Sequence, residues 1–213
     1  MIISLMGPPG SGKGTYAQLL AKQGWVHFSM GQALRNHVEQ KGKYASKVNE
    51  MTKKGHLVSN TIAYYILKEE LRSLKGKKIV LDGFPRNIEQ TKGVRKIFHS
   101  IKQDISAFVY IDVSEEETFR RLTGRTQCKK CGRIYGASMH PKKKGSCDVD
   151  NGKLIRRKDD APSVIRERFR VYRTKTYPLL DWAARHYLVF HLNGHGSPRV
   201  VFKRVLNVIS LIK

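Results

Sequence analysis

The chain has 213 residues, 40% hydrophobic and 27% charged, a composition that excludes a disordered protein and a length that allows a sizeable core. Lysine and arginine number 41 against 17 acidic residues, and the net charge of +24 predicts attraction to polyanions such as nucleotides or RNA. No apolar run reaches the ~20 residues that span a bilayer, and the opening residues lack a signal-peptide pattern, which predicts a cytoplasmic protein without a membrane partner.

Apolar runs alternate with helical patterns along the chain. The first half predicts a strand at 1–6, a helix at 11–23, a strand at 25–28, mostly helix at 31–74 with a break near 53–60, a strand and turn at 77–85, a helix at 87–101 and a strand at 106–113. The second half predicts a helix at 114–125, an irregular stretch at 126–153, a long helix at 161–186, a strand at 187–193 and a helix at 197–213. This alternation predicts an α/β fold with a parallel five-stranded sheet covered by helices on both faces.

Two of the predicted helices carry residues that suit their first positions. Ser114 precedes three acidic residues and is expected to cap the helix that follows it. Either Ser59 or Asn60 could cap the helix that begins near residue 60, because both side chains can accept a backbone hydrogen bond.

The stretch "GPPGSGKGT" at 7–15 lies between a predicted strand and a predicted helix. Backbone N–H groups at a helix N-terminus bind anions, and glycines let the loop approach phosphate oxygens closely. Lys13 can reach the outer phosphates of a nucleoside triphosphate. The expected ATP-binding residues of the loop are Gly10, Ser11, Gly12, Lys13, Gly14 and Thr15.

The loop departs from the pattern G-x-x-x-x-G-K-[ST], because Gly14 takes the hydroxyl position and Thr15 comes one residue later. Mg²⁺ must therefore rely more on water and on a carboxylate elsewhere. Asp82 in "LDGFPR" supplies this carboxylate, since it ends a predicted strand where parallel sheets bind their ligands. Arg86 follows on the next turn and can bind a phosphate with two hydrogen bonds.

All three cysteines lie within residues 128–147, a clustering that favours metal over disulfides. Cys128, Cys131 and Cys147, with an aspartate three residues after Cys147, have the two-hook spacing of a structural zinc site. Asp150 is in register as the fourth ligand, and the alternatives are Asp148 and His140. The loop between the hooks has little apolar content, so metal would substitute for a core.

Three motifs in combination, "GPPGSGKGT", "DGFPR" and "RRKDDAPSVIRERF", resemble the adenylate kinase family over essentially the whole chain. The resemblance implies a P-loop NTPase-like core with two mobile inserts and the reaction Mg·ATP + AMP ⇌ 2 ADP. It also implies a monomer that uses Mg²⁺ with ATP and holds structural Zn²⁺ in one insert. The corresponding division is a core at 1–28, 60–124 and 160–213, a monophosphate-binding insert at 29–59 and a zinc-type lid at 125–159.

The same resemblance assigns roles to individual side chains. Those implied for ATP are Arg121, Arg125 and Gly196, in addition to the loop. Those implied for AMP are Met30, Arg35, Val58, Gly83, Arg86, Gln90, Arg157 and Arg168. Those implied to be catalytic are Lys13, Asp82, Arg86, Arg125, Arg157, Asp159 and Arg168, with Asp159 helping to hold the water shell of the metal and the closed lid.

Two positions depart from the family pattern. Met30 stands where many adenylate kinases have threonine, and Gln32 stands where they have an acidic residue. A thioether cannot replace the hydrogen bond of a hydroxyl group. The sequence therefore leaves open a UMP/CMP kinase or a kinase that uses GTP as donor, although Gln90 favours AMP. A different alternative is a basic RNA-binding zinc-knuckle protein without an active nucleotide site.

Overall fold

A computed structural model describes residues 1–136 and 139–212, without the side chains of residues 71–73 and 158. The last residue of the helix predicted at 197–213, and residues 137–138 of the predicted lid, lie outside the described residues. In the described part of the chain, no helix combines the length and the apolar character needed to cross a membrane.

The central sheet has five strands in the spatial order β2-β3-β1-β4-β8, and every neighbouring pair is parallel. The strands are β1 (Ile2–Met6), β2 (Val26–Ser29), β3 (Ile79–Asp82), β4 (Ile105–Asp112) and β8 (Leu188–Asn193). β1 lies in the middle with all five residues buried, as expected for a parallel sheet covered on both faces. The predicted parallel five-stranded sheet is confirmed.

Helices cover both faces of this sheet. They are α1 (Lys13–Ala21), α2 (Met30–Glu39), α3 (Ala45–Lys53), α4 (Asn60–Leu74), α5 (Ile88–His99), α6 (Glu115–Thr123), α7 (Pro162–Val171), α8 (Pro178–Ala184) and α9 (Pro198–Ser210). Leu20 of α1 and Val201 of α9 belong to one apolar cluster. Ile66 of α4, Val94 of α5 and Leu180 of α8 belong to the other, on the opposite face of the sheet. The fold therefore has three layers, with helices on both faces as predicted.

Helix caps follow the sequence signals. The Ser59 hydroxyl accepts a hydrogen bond from the backbone N–H of Ile62, so the structure selects Ser59 over Asn60 as the cap of α4. The Ser114 hydroxyl likewise accepts from the backbone N–H of Glu117 at the start of α6. Both side chains satisfy a donor that the helix itself leaves without a partner.

The stretch predicted to be irregular at 126–153 contains much of a second, antiparallel sheet. Its strands are β5 (Thr126–Cys128), β6 (Ile134–Tyr135) and β7 (Leu154–Ile155), in the order β6-β5-β7. The prediction was wrong here because strands of two or three residues are too short to show an alternating pattern.

The long helix predicted at 161–186 is divided. A π-helical turn at Tyr172–Thr176 separates α7 from α8, and the backbone N–H of Tyr177 bonds to the carbonyl of Tyr172. Pro178 has no N–H to continue the α-helical hydrogen bonds, so α8 starts afresh at this residue.

Candidate active site

The loop at 7–15 joins the buried end of β1 to the start of α1. Gly12 occupies the cap position of α1 with φ 97°, and no side chain accepts a hydrogen bond from the first turn. A Cβ at Gly10, where φ is 88°, would lie 2.7 Å from the carbonyl oxygen of Thr118. Glycine is therefore required at both positions, and the loop leaves N–H groups at the helix start for an anion.

The Lys13 ammonium group lies inside this loop. Its Nζ donates to the carbonyl oxygens of Gly7 and Pro8 at 2.8 Å and to the Ser11 hydroxyl at 3.1 Å. Burial lowers the pKa of Lys13 to about 7, because removal from water disfavours the charged amine, although the carboxylate of Asp82 opposes this shift. A bound phosphate would place a negative charge beside the buried ammonium group and so favour its charged form.

Asp82 is the last residue of β3 and faces the start of α1. A Cβ at Gly14 would lie 3.1 Å from Asp82 Oδ2, so glycine at this position lets the carboxylate approach the backbone. His27 Nε2 lies 3.4 Å from the same oxygen. Burial raises the pKa of Asp82, but the His27 hydrogen bond and the Lys13 charge outweigh it, so the net shift is downward. An ionised carboxylate beside a phosphate loop fits Mg²⁺.

Six arginines line one cleft together with this loop and Asp82. Five of them are Arg35, Arg86, Arg125, Arg157 and Arg168. Burial, and to a smaller extent the charges of Arg125 and Arg35, lower the pKa of Arg157 to about 9. Arg121, Gly83 and Asp159 line the same cleft. So many cations around one cavity predict a polyanionic ligand.

Asp160, which the sequence arguments missed, anchors two of these arginines. Its carboxylate is buried, and it accepts from Arg125 Nε at 2.8 Å and from Arg168 Nη1 at 3.2 Å. Arg168 Nη1 also donates to Asp159 Oδ2 at 3.1 Å. The acidic pair in "KDDAPS" was visible in the sequence, but only the fold shows that the second aspartate, not the first, binds both arginines.

Arg86, Arg157 and Arg35 are held by neutral oxygens. Arg86 Nε donates to the carbonyl of Gly83 at 2.7 Å, and Arg157 Nε donates to the side-chain carbonyl of Gln127. Arg35 Nη2 donates to Gln32 Oε1 at 2.8 Å. Gln32 thus orients Arg35 without the negative charge that an acidic residue would place beside a phosphate site.

Several residues predicted to contact nucleotides do not line this cleft. Met30 and Val58 are buried in the apolar cluster on one face of the sheet. Gln90 is also buried, and its Oε1 accepts from the backbone N–H of Arg86 at 2.8 Å. Ser11 is a buried residue of the loop, and neither Ser11 nor Gly196 lines the cleft. The Ser11 hydroxyl instead contacts the Lys13 ammonium group, and the Gln90 side chain holds the turn that carries Arg86.

The antiparallel sheet forms the opposite wall of the cleft. Ile134, Tyr135, Gly136 and Met139 line it, facing the phosphate loop. Gln18 of α1 donates to the carbonyl of Gly132 at 3.4 Å, which links the sheet to the helix that follows the loop. The small sheet therefore lies across the cleft from the phosphate loop.

Cys128, Cys131, Cys147 and Asp150 converge, with one ligand atom from each lying within 4.8 Å of the others. The Sγ atoms of Cys131 and Cys147 are 3.6 Å apart, close to the ~3.8 Å edge of a tetrahedron with zinc–sulfur bonds of about 2.3 Å. Backbone N–H groups of Lys130 and Cys131 donate to Cys128 Sγ, which suits a thiolate. The donor set therefore fits zinc.

The alternatives for the fourth ligand point elsewhere. Asp148 Oδ1 accepts a hydrogen bond from the backbone N–H of Lys142 at 2.8 Å, so this carboxylate holds the loop. Asp150 Oδ1 lies 3.3 Å from Cys128 Sγ and accepts from the backbone N–H of Gly152. Neither Asp148 nor His140 belongs to the converging group.

The chain is similar to known proteins over nearly its whole length. The family model described as adenylate kinase matches residues 5–187. The adenylate kinase of Thermosipho africanus is 38% identical over 212 residues, which are 98% of this chain and 99% of the relative. That of Methanothrix thermoacetophila is 38% identical over 213 residues, covering 99% of each, and that of Rickettsia africae is 36% identical over 205 residues, covering 94% and 95%.

Proposed function

Since this chain belongs to the adenylate kinase family, we propose that the cleft described above carries out the reaction of the family, phosphoryl transfer from ATP to AMP to give two ADP. The enzyme class is a phosphotransferase. The observation that carries the assignment of residues is the convergence of Lys13 and six arginines on one cavity. Phosphoryl transfer needs positioning and charge stabilisation rather than a covalent intermediate, and these cations supply both.

ATP is expected on the side of the phosphate loop. The N–H groups at the start of α1 and the ammonium group of Lys13 bind its outer phosphates. Arg121 lines the cleft nearby, where Glu117 holds its Nε at 2.7 Å, and this guanidinium group lies against the donor base. Gly196 follows β8 in the same region, close to Gly194, whose carbonyl faces Arg121.

AMP is expected opposite, with its phosphate on Arg35 and Arg86. Arg125, Arg157 and Arg168 then surround the phosphoryl group as it passes between the two nucleotides. Gln90 was predicted to bind the adenine edge, and its hydrogen bond from Arg86 makes it also a support for the phosphate site. Met30 and Val58 shape the acceptor pocket from the core behind it rather than by polar contact.

Mg²⁺ would be held by Asp82 through its water shell and by the phosphates of ATP, where it neutralises charge on the phosphoryl oxygens. Asp82 is ionised and is oriented by His27, so it can hold such a shell at the end of β3. Asp159, also ionised under the influence of Arg168 and Arg125, is the second acidic group of the cleft.

The chain divides into a core at 1–28, 60–124 and 160–213, a monophosphate-binding insert at 29–59 and a lid at 125–159. The antiparallel sheet and the Cys128, Cys131, Cys147 and Asp150 group both lie in the proposed lid. With three thiolates and one carboxylate, zinc here has no open position and is structural. A monomeric state and a cytoplasmic location remain predictions from the sequence.

This assignment is tested by removing single cations. We expect Lys13→Ala and Arg86→Ala each to lower kcat by about 10²–10³-fold, because each removes a charge from the transferring phosphates. Lys22→Ala makes the same charge change at an exposed position at the end of α1 and should retain activity. Full activity in Lys13→Ala or Arg86→Ala would refute the assigned roles.

The same assay separates the acceptors. With Mg·ATP as donor, turnover with AMP should exceed turnover with UMP, CMP or GMP. Preference for a pyrimidine would reassign the acceptor pocket, in which Met30 replaces a hydroxyl group, while leaving the roles of Lys13 and Arg86 in place.

A further inference from the structure

A second concave surface lies on the outside of the core. This groove, which we call the α5 groove, has a volume of about 870 Å³ and runs along α5 between α4 and α8. It shares no lining residue with the cleft. Its volume lies within the range of small-molecule and cofactor sites. Nothing in the phosphoryl-transfer reaction uses this surface.

Aromatic rings line the groove on two sides. The indole ring of Trp182 stacks on the imidazole ring of His186, with centroids 4.2 Å apart and planes 19° apart. His186 is exposed, so the stack ends in a free aromatic face. Across the groove, Tyr64 donates its hydroxyl proton to the carbonyl of Glu89 at 2.7 Å. These rings offer flat apolar surfaces at a solvent boundary.

Gly93 is what lets the tyrosine lie against α5. A Cβ at Gly93 would come within 2.2 Å of the Tyr64 ring. Glycine inside a helix costs about 1 kcal/mol relative to alanine, so the close approach of the ring accounts for its presence here. The packing of Tyr64 against α5 in this groove therefore requires glycine at position 93.

The rim of the groove is positively charged. Its lining holds four basic side chains, Lys68, Lys92, Arg95 and Lys96, against the carboxylate of Glu89. Glu89 pairs with Lys92, and Asp104 pairs with Arg95 and His99. Lys68 and Lys96 form no ion pair with a side chain in the described part of the chain. Two ammonium groups without an ion-pair partner among the described residues thus line the same groove as the stacked rings.

We propose that the α5 groove binds a single-stranded polynucleotide. One base continues the stack on the free face of His186, and neighbouring phosphates bind Lys68 and Lys96. Stacking platforms within a cationic groove are the recurring arrangement for single strands, since every base has an aromatic face. The net charge of +24 adds long-range attraction that the phosphate-transfer cleft alone does not require.

Charge selects this occupant over the other candidates. A second copy of this chain would carry the same +24 charge and the same cationic rim, and the two would repel. A free mononucleotide could use the stack but would reach few of the cations. A polynucleotide uses both, because consecutive phosphates extend along the rim.

The lysine-rich loop of the antiparallel sheet provides the contrast. Lys142, Lys143 and Lys144 are exposed there, as is the imidazole ring of His140, whereas the ring of Tyr135 is buried. Among the described residues no ring stacks on His140, so this loop offers charge without a stacked aromatic pair and serves as the matched control for nonspecific attraction.

The direct test uses the fluorescence of Trp182. The chain has two tryptophans, and Trp25→Phe leaves Trp182 alone. With the cleft saturated by a bisubstrate dinucleotide, we expect a 12-residue single-stranded RNA to quench Trp182 in a saturable titration. Single-stranded DNA of the same length tests whether binding depends on the sugar. AMP tests the contribution of a base without a chain of phosphates, and inorganic polyphosphate tests the contribution of charge without a base. Quenching by polyphosphate as strong as by RNA, or no quenching by either strand, would overturn the proposal.

Paired variants locate the site. Lys68→Glu with Lys96→Glu should weaken RNA binding at least tenfold, while Lys142→Glu with Lys144→Glu, an equal change in charge, should weaken it much less. His186→Ala should lose about fivefold or more, and His186→Phe should retain affinity. Equal losses in both charge pairs would mean nonspecific attraction only and would refute the groove. Adenylate kinase activity should be unchanged in all of these variants, so the two assignments fail separately.

Discussion

The Lys13 side chain is buried, yet its proposed role in phosphate binding requires a charged ammonium group. In the protein alone its ammonium group is bound by three oxygens of its own loop, and burial lowers its pKa to about 7. The unfolded chain holds this proton up to about pH 10.5. Between about pH 7 and 10.5 the unfolded state therefore binds more protons, and through this group folding stability rises with pH.

Phosphate binding has the opposite pH dependence. A phosphate beside Lys13 favours the ammonium form, so ATP affinity should fall as pH rises above about 7. At pH 8 ATP binding should take up protons, measured by calorimetry in two buffers of different ionisation enthalpy. Lys13→Met keeps the stem without the charge and should lose this uptake. Equal uptake in the variant would contradict the assigned titration.

Asp160 shows how one buried carboxylate organises several cations. It binds Arg125 and Arg168 together, so its removal leaves two facing guanidinium groups without their shared partner. We expect Asp160→Asn to lower the free energy of unfolding by about 3 kcal/mol, the cost of breaking a buried ion pair, and to lower kcat. Urea denaturation and steady-state kinetics measure the two effects.

The control is Asp181→Asn, the same change at an exposed residue of α8. It should alter the free energy of unfolding by no more than about 1 kcal/mol and leave kcat unchanged. If Asp160→Asn behaved like this control, the arginines would be held by other groups and the role given to Asp160 would be wrong.

At the scale of elements, the antiparallel sheet is the part of the chain with the least core. Its apolar cluster consists of Cys128, Tyr135 and Cys147, with Met139 and Leu154 packed against it. Two of the three buried members are themselves proposed metal ligands. A sheet with strands of two or three residues gains little stability from this contact alone, so we propose that metal binding stabilises it.

Zinc removal should therefore act locally. We expect one zinc per chain, and we expect Asp150→Asn to weaken zinc retention about 10-fold or more, while Asp148→Asn retains it, because only Asp150 joins the cysteines. Chelation should raise hydrogen exchange in residues 126–155 and leave the central sheet protected. Equal zinc loss in both variants, or protection unchanged by chelation, would refute a metal-stabilised lid.

At the scale of the whole molecule, the cleft is a set of like charges held apart by the fold. Burial lowers the pKa of Lys13, and the charges of Arg86, Arg168 and Arg125 lower it further against the opposing charge of Asp82. Substrates that carry several phosphates would relieve this repulsion. We propose that the free energy so gained helps to close the antiparallel sheet over the reacting groups.

A bisubstrate dinucleotide, two adenosines joined by five phosphates, tests this arrangement. We expect one to bind per chain and, at 100 times its Kd, to raise the free energy of unfolding by about 2.7 kcal/mol. AMP at the same multiple of its own Kd should leave ATP able to bind, which calorimetry measures. Competition between AMP and ATP for a single position would contradict a cleft that holds two nucleotides head to head.

The sequence by itself determined those features of this protein that short local patterns of residues specify. The five strands of the central sheet, the glycine loop, the Ser114 cap and the cysteine spacing could all be predicted, because each depends on residues within one element or one turn. The family resemblance rested on the same short motifs, and the comparison with known proteins agrees with it. The enzyme class therefore needed no tertiary structure.

Only the tertiary structure decided which side chains meet. Arg125 and Asp160 are 35 residues apart in the chain, and nothing local marks them as partners. The core burial of Met30 and the α5 groove depend likewise on packing between distant elements, whereas the spacing of the sequence already favoured Asp150 over Asp148. Local sequence patterns reveal the periodicity of helices and strands and the residues that form turns. Which distant side chains contact one another depends instead on how the sheet and its helices pack.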